Sequence, residues 1–268
     1  MPTKTAALGG ALLLLAATTS AQADATLTYQ SKRTGKNVVM IHDGMVRMAT
    51  QQPQGGGQAV SIYDGHKDRF IVLDDAKRSY LVMDKATVSE QAKRLRAMQQ
   101  QMMAQMRERM KDMPEEQRKM LEQQMAQFEK GRQGAGPKVE VRKTGKTDVV
   151  NGIRCEYYQS YIDGRPMSEA CIAAARSLGL SDKDYQAMKD MFAFMGDMAQ
   201  AFSGAKSGSA QGFENVAGLP VRTRDPSGDV MELKKVDTAP VDPKFFQIPQ
   251  GYKRTDPMRP MPGGKAGR

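Results

Sequence analysis

Residues 155–171 read Cys155-Glu156-Tyr157-Tyr158-Gln159-Ser160-Tyr161-Ile162-Asp163-Gly164-Arg165-Pro166-Met167-Ser168-Glu169-Ala170-Cys171. Asp163-Gly164 stands between runs rich in Tyr and Ile, the strongest short-range signal for a β-hairpin. The cysteines lie at equal distances either side of Asp163, so a bulged turn there brings position 155 opposite 171 and predicts a cross-strand disulfide. On the loop-entropy model a closure of this size is worth about 3 kcal/mol. Such a bond needs an oxidising compartment, and the N-terminus predicts one. It carries Lys4, then the apolar run Ala6 to Ala17, then Ala21-Gln22-Ala23 as a small-residue cleavage site. Residues 1–23 are therefore expected to be a cleaved signal peptide and the mature chain to be periplasmic or secreted. No second apolar run approaches the ~18 residues of a membrane span, and no cysteine follows the signal to carry a lipid. No transmembrane segment is expected in the mature protein.

Upstream of the hairpin, short strands alternate with turn residues: Ala25 to Ser31, Val38 to His42, Met45 to Ala49, Ala59 to Tyr63, Arg69 to Leu73 and Ser79 to Met83. Asp43-Gly44, Asp64-Gly65 and Asp74-Asp75-Ala76-Lys77 are turn chemistry, and Gln51 to Gln58 is a longer Gln/Gly loop. Phe70 and Val72 alternate with Ile71 and Leu73, so this strand is expected to be covered on both faces. Downstream, strands are expected at Lys138 to Arg142, Asp148 to Val150, Leu219 to Arg224 and Val230 to Val236, with Phe245, Phe246, Ile248 and Tyr252 as late anchors.

Between Thr87 and Gly131 the period turns helical. Val88, Ala92, Leu95, Met98, Met102, Met106, Met110 and Met113 recur at steps of three and four. Pro114 interrupts the stripe and opens a second helix carrying Met120, Leu121, Met125 and Phe128. Residues 87–131 thus predict a helical hairpin inserted in a sheet protein, packed back on the sheet because an apolar face must be covered. Gly131 to Pro137 is a Gly-rich break. A third helix is expected from Asp182 to Phe202, with Tyr185, Met188, Met191, Phe192, Met195, Met198 and Phe202 on one side and Ser181 as N-cap. Ser203 to Gly212 reads as a linker. The domain spans 24–252, and residues 253–268 read as a disordered basic tail.

Asn151-Gly152-Ile153-Arg154-Cys155-Glu156-Tyr157-Tyr158, the strand ending Cys171-Ile172-Ala173, and the closing Phe245-Phe246-Gln247-Ile248-Pro249-Gln250-Gly251-Tyr252 resemble a family of exported bacterial proteins known only as a domain of unknown function, family 4412. Ile62-Tyr63-Asp64-Gly65 followed by Ser79-Tyr80-Leu81-Val82-Met83-Asp84 fits the same family. The family brings no established activity. The order of elements is also similar to that of periplasmic lipoprotein carriers and their relatives, whose strongly curved antiparallel sheet wraps around helices and leaves an apolar cavity. The resemblance implies an α+β fold, with a curved, half-barrel-like antiparallel sheet packed against Met-rich amphipathic helices.

Catalytic motifs are absent from the sequence. There is no Gly-x-Ser-x-Gly elbow, no His-Glu-x-x-His and no phosphate-cradling Gly-x-x-x-x-Gly-Lys-Ser or Gly-x-x-x-x-Gly-Lys-Thr loop. His42 and His66 sit beside turns, where exposed turn residues are expected rather than acid–base catalysts. Two cysteines without a second pair suit a disulfide better than a zinc site. The chain is expected not to be an enzyme and to carry no cofactor. The formal charge of +10 is spread along the sequence with acids interleaved, which argues against nucleic acid.

Methionine is the compositional oddity, with 21 residues against 8 Phe and no Trp. Flexible thioethers suit a surface that adapts to a variable greasy ligand. The expected function is non-catalytic binding of a hydrophobic ligand at the cell envelope, such as a lipid, an acyl chain or a lipoprotein segment, with Met98, Met102, Met106, Met191, Phe192 and Met195 as candidate lining residues. An alternative is Cu(I) held by the soft sulfurs of Met98, Met102, Met106 and Met110, one helical turn apart. Burial of the same stripe is the simpler reading, since it includes Val88, Ala92 and Leu95. A third possibility is an envelope structural protein whose helices hold a protein partner.

Overall fold

Three two-residue turns organise the sheet. Asp43-Gly44, Asn151-Gly152 and Asp163-Gly164 all have positive φ at both positions (46° and 75°, 49° and 82°, 50° and 77°). That is the type I′ geometry whose twist matches paired strands, and Asn or Asp followed by Gly adopts it most readily. The computed structural model describes residues 24–51, 58–111, 114–120, 122, 138–203 and 216–255. The expected signal peptide, the Gln/Gly loop at 52–57, Met113, Leu121, Met125, Phe128, the break at 131–137, most of the linker after Ser203 and the tail from 256 lie outside the described residues.

Twelve strands form one sheet: β1 (Ala25–Ser31), β2 (Gly35–His42), β3 (Met45–Gln51), β4 (Gln58–Asp64), β5 (Arg69–Asp74), β6 (Ser79–Asp84), β7 (Val139–Val150), β8 (Ile153–Ile162), β9 (Arg165–Ala173), β10 (Leu219–Arg224), β11 (Val230–Asp237) and β12 (Lys253–Arg254). Their order is β12-β6-β5-β4-β3-β2-β1-β11-β10-β9-β8-β7, so the sheet is open, with β12 and β7 at its edges. All neighbours are antiparallel except β12, which adds to β6 in parallel. The sheet therefore extends past residue 252: Lys253 and Arg254, expected in the tail, pair with Ser79 and Tyr80. Val139–Val150 is one strand rather than two, its register shifting between Lys143 and Thr147 around Gly145 (φ 78°).

Cys155 and Cys171 are disulfide-bonded, with Cα atoms 5.4 Å apart. The register differs from the expected one. The turn pairs Ile162 with Arg165, a shift follows between Gln159 and Tyr161, and Cys171 then lies opposite Tyr157, two residues from Cys155. An even offset keeps both sulfurs on one face of the sheet, so the bond forms on a diagonal.

Three α-helices and two short 3-10 helices (Ala175–Leu178 and Pro243–Phe246) complete the described residues. α1 (Lys85–Met110) starts at Asp84, whose carboxylate accepts from the Thr87 N–H at 2.7 Å. That bond holds the Asp84 carboxyl below the usual carboxylate range. α2 covers residues 115–120. α3 (Asp182–Ser203) starts with a reciprocal cap, in which the Ser181 hydroxyl accepts from the Asp184 N–H and the Asp184 carboxylate accepts from the Ser181 N–H and hydroxyl.

The main core lies between α3 and one sheet face. It gathers Leu27, Ile41, Val46, Tyr63, Phe70, Cys155, Cys171, Val221 and Leu233 around Met188, Met191 and Phe194. The opposite face of β3 to β6 carries a second core of Ala49, Val60, Ile62, Ile71, Leu73 and Val82, closed by Val241 and Phe246 of the C-terminal segment. Strand β5 is thus covered on both faces, Phe70 and Val72 on one side and Ile71 and Leu73 on the other. Phe70 and the start of β10 are six strands apart in the sheet, about 28 Å if it were flat. The α3 residues that meet them, Phe194 and Tyr185, are only about 14 Å apart along the helix. One helix thus touches both ends of this span, the Tyr185 and Phe194 side chains supplying the rest of the reach.

α1 behaves differently from its expected packing. It meets α3 and β6, and its buried residues are Val88, Gln91 and Ala92 near the start and Met110 at the end. Between them the sheltered stripe runs through Leu95, Gln99, Met103 and Met106, while Met98 and Met102 are 54% and 58% exposed. The stripe keeps Val88, Ala92, Leu95, Met106 and Met110 as expected and departs in the middle, where Gln99 and Met103 take the sheltered positions in place of Met98 and Met102.

Candidate functional site

The first turns of α1 lie against the last turns of α3, and the gap between them is a cavity of ≈ 230 Å³. α1 contributes Lys85, Val88, Ser89, Ala92, Lys93 and Arg96, and α3 contributes Phe194, Asp197, Met198 and Ala201. The residues fall at helical spacing because each helix offers one stripe to the other. Phe194 anchors this region to the sheet, its ring stacked on Phe70 (6.1 Å, 16°) and 5.9 Å from Tyr63. Burial, with Asp68 adding to it, pushes the Tyr63 hydroxyl well above its usual range, so it remains a neutral donor to Asp68. Apolar side chains thus sit beside a cationic rim. Lys85 bridges to Asp68 at 2.5 Å, and that bond raises the Lys85 ammonium, with Asp197 contributing.

A second, polar cavity of ≈ 280 Å³ is lined by Tyr157, Glu169, Arg222, Arg224, Val230 and Glu232. Arg222 Nε donates to Glu232 Oε1 at 2.7 Å, and Nη1 donates to Asp148 Oδ2 at 2.6 Å and to the Tyr157 hydroxyl oxygen at 3.0 Å. The Tyr157 hydroxyl in turn donates to Asp148 Oδ2 at 3.0 Å. Hydrogen bonding to Tyr157, with Glu232 beside it, raises Arg222. The Val149 N–H, Tyr157 and Arg222 lower Asp148, and Lys234 and Arg222 lower Glu232. These charges satisfy one another, so the cluster ties β7, β8, β10 and β11 together rather than presenting a reactive group.

His42 is not the exposed turn residue expected from sequence. Its Nδ1 lies 2.9 Å from Asp24 Oδ1, its ring packs 5.6 Å from Phe246, and Asp24 Oδ2 accepts from the buried Val241 N–H at 2.6 Å. The group joins the start of β1 to the C-terminal segment. His66 is exposed and lies 3.5 Å from Asp43.

The candidate lining residues do not converge. Met98 and Met102 face solvent, Met106 is half-buried, Met191 is fully enclosed in the core, Phe192 is half-buried, and Met195 is 37% exposed. None of the six lines the α1–α3 cavity. Sequence reasoning missed Phe194 and Ala201, and it had Val88, Ala92 and Met198 only as members of helical stripes. A second aromatic within two positions of Phe192 was the available signal. Of the four candidate copper ligands, Met110 is buried while Met98 and Met102 are exposed. Among the described residues no group of three or more His, Cys, Asp or Glu side chains gathers to hold a metal ion.

A family model described as domain of unknown function (DUF4412) matches residues 42–252. The chain belongs to this family. The DUF4412 span takes in the disulfide hairpin and both helices of the cavity, while Asp24 lies outside it. No curated protein matches the chain. Among solved structures, an uncharacterized conserved protein from Thermus thermophilus is similar at 7% identity and a TM-score of 0.41, over 88% of this chain and 91% of that one. PNGF-II is similar at 10% identity and a TM-score of 0.39, over 88% of this chain and 31% of its own length.

Proposed function

We propose that this DUF4412 protein is a non-catalytic binder of a hydrophobic ligand at the cell envelope, seated in the α1–α3 cavity rather than along the methionine stripe. The ligand is a lipid, an acyl chain or a lipoprotein segment, and the working compartment is the periplasm. The cavity carries this reading: Val88, Ala92, Phe194, Met198 and Ala201 offer an apolar chain a seat between two helices. Transfer of each methylene out of water contributes about 0.8 kcal/mol. The enclosed disulfide supports export, since such bonds persist in oxidising compartments. No helix among the described residues is long and apolar enough to cross a membrane.

Native mass spectrometry of the mature protein purified from periplasm without detergent tests the reading. A heterogeneous adduct of lipid mass is expected in the wild type and its loss in Ala201→Trp, which fills the cavity from a half-exposed position. A clean apo mass in the wild type would count against it. A protein partner is the second reading, favoured by one observation: Met98, Met102 and Met120, all on α1 and α2, are exposed. Copurification of a protein that is lost on changing these three to Glu would support that reading.

A further inference from the structure

Charge at the mouth of the α1–α3 cavity is uneven. α1 carries six cations, Lys85, Lys93, Arg94, Arg96, Arg107 and Arg109, against two carboxylates, Glu90 and Glu108. Three of the cations, Lys85, Lys93 and Arg96, line the cavity, facing the single carboxylate of Asp197. Lys85 is engaged by Asp68, which leaves Asp197 facing Lys93 and Arg96 and the mouth with a net positive charge. Arg96 makes one long hydrogen bond, 3.4 Å from Nη2 to the Ala201 carbonyl. Lys93 has no ion-pair partner among the described residues. Both Lys93 and Arg96 are exposed. They are three residues apart, which places their Cβ atoms about 5–6 Å from each other on one face of the helix. Two donors at that spacing reach two oxygens of one small anion.

Resting on the chain-binding reading, we propose that the ligand is a single-chain amphiphile with an anionic head. The chain lies against Val88, Ala92, Phe194, Met198 and Ala201, and Lys93 and Arg96 hold the head. The cavity volume of ≈ 230 Å³ falls below the ~300–1,000 Å³ of drug-sized pockets, which suits one chain and not a diacyl pair. The apolar wall does not distinguish a charged head from a neutral one; the two cations do. Their contribution weakens with salt, since exposed charges are screened over about 8 Å at physiological ionic strength.

Equilibrium binding of decanoate, decanol and decyltrimethylammonium to the mature protein at neutral pH and low salt tests this. Decanoate is expected to bind about five- to tenfold tighter than decanol, the scale of two exposed charge contacts, and the ammonium weakest. The preference should shrink toward unity in about 0.5 M NaCl and in the Lys93→Gln/Arg96→Gln double variant. Ala201→Trp should weaken all three. Equal affinities for decanoate and decanol at low salt overturn the head-group assignment and leave chain binding standing. Failure of both to bind overturns the chain reading itself. Once decanoate binds tighter than decanol, a lysophosphatidylglycerol with a ten-carbon chain run beside it tells which of the two sources of this chemistry the site takes better.

Discussion

Replacing both cysteines by alanine tests the role of the disulfide. The bond closes a loop across a sequence separation of 16, for which the chain-entropy relation predicts about 3 kcal/mol at 25 °C. Alanine is the right replacement because both sulfurs are buried among apolar neighbours, where serine would add two hydroxyls needing partners. The chain has no tryptophan, so urea unfolding is best followed by far-ultraviolet circular dichroism. With a slope of about 3 kcal/mol per molar urea, the loss lowers the midpoint by about 1 M. Thermal melting should fall by about 6–12 °C, using 2–4 °C per kcal/mol for a chain of this size. The slope should stay equal or rise, since the unfolded chain is no longer cross-linked. Ligand affinity should not change, because neither cysteine lines the α1–α3 cavity. A midpoint unchanged within about 0.2 M would refute the account, since the loop-entropy contribution cannot vanish if the bond forms.

Met191→Ala should cost about 2–5 kcal/mol through the cavity left in the core, whereas Met98→Ala and Met102→Ala should stay within about 0.5 kcal/mol; similar losses by urea denaturation would contradict the placement of α1 and α3. Ser181→Ala removes one half of the α3 cap and should cost about 1 kcal/mol, seen as faster amide exchange at Asp184, and unchanged exchange would argue against the cap. Asp148 and Glu232 titrate below their ordinary ranges in the folded protein, so their stabilisation is complete above the unfolded values near 3.8 and 4.5 and is lost as pH falls through the folded ones. Arg222→Met should therefore destabilise at neutral pH by an amount that narrows toward acid, and a gap that stays constant down to about pH 2 would remove the network from the explanation.

Local signals account for most of the strand map. The β1 to β6 meander is legible because alternation and the Asp-Gly turn are properties of neighbouring residues, and β5 announces its two covered faces through Phe70-Ile71-Val72-Leu73. With two cysteines in the chain, the disulfide partners are settled once oxidation is assumed. The diagonal register is not, because a single shift between Gln159 and Tyr161 moves the pairing without altering which residues alternate.

What the sequence determined by itself, then, is the kind of most elements and the turns between them, β7 as one strand and β12 excepted, since these follow from side-chain period and backbone preference within a few residues. Tertiary structure decided which helix face is used and which distant groups meet. Met98 and Met102 yield the inward positions to Gln99 and Met103, and Phe194 rather than Met195 enters the core, because the face is chosen by what the helix packs against. Asp148 meets Arg222 across 74 residues, Asp24 meets Val241 across 217, and β1 pairs with β11. Such contacts arise only when the sheet closes the chain's two ends together, and no local pattern encodes them. The α1–α3 cavity belongs to the same class: its lining comes from two helices separated by β7, β8 and β9, and its cationic rim acquires meaning only when Lys93 and Arg96 stand opposite Phe194 and Ala201.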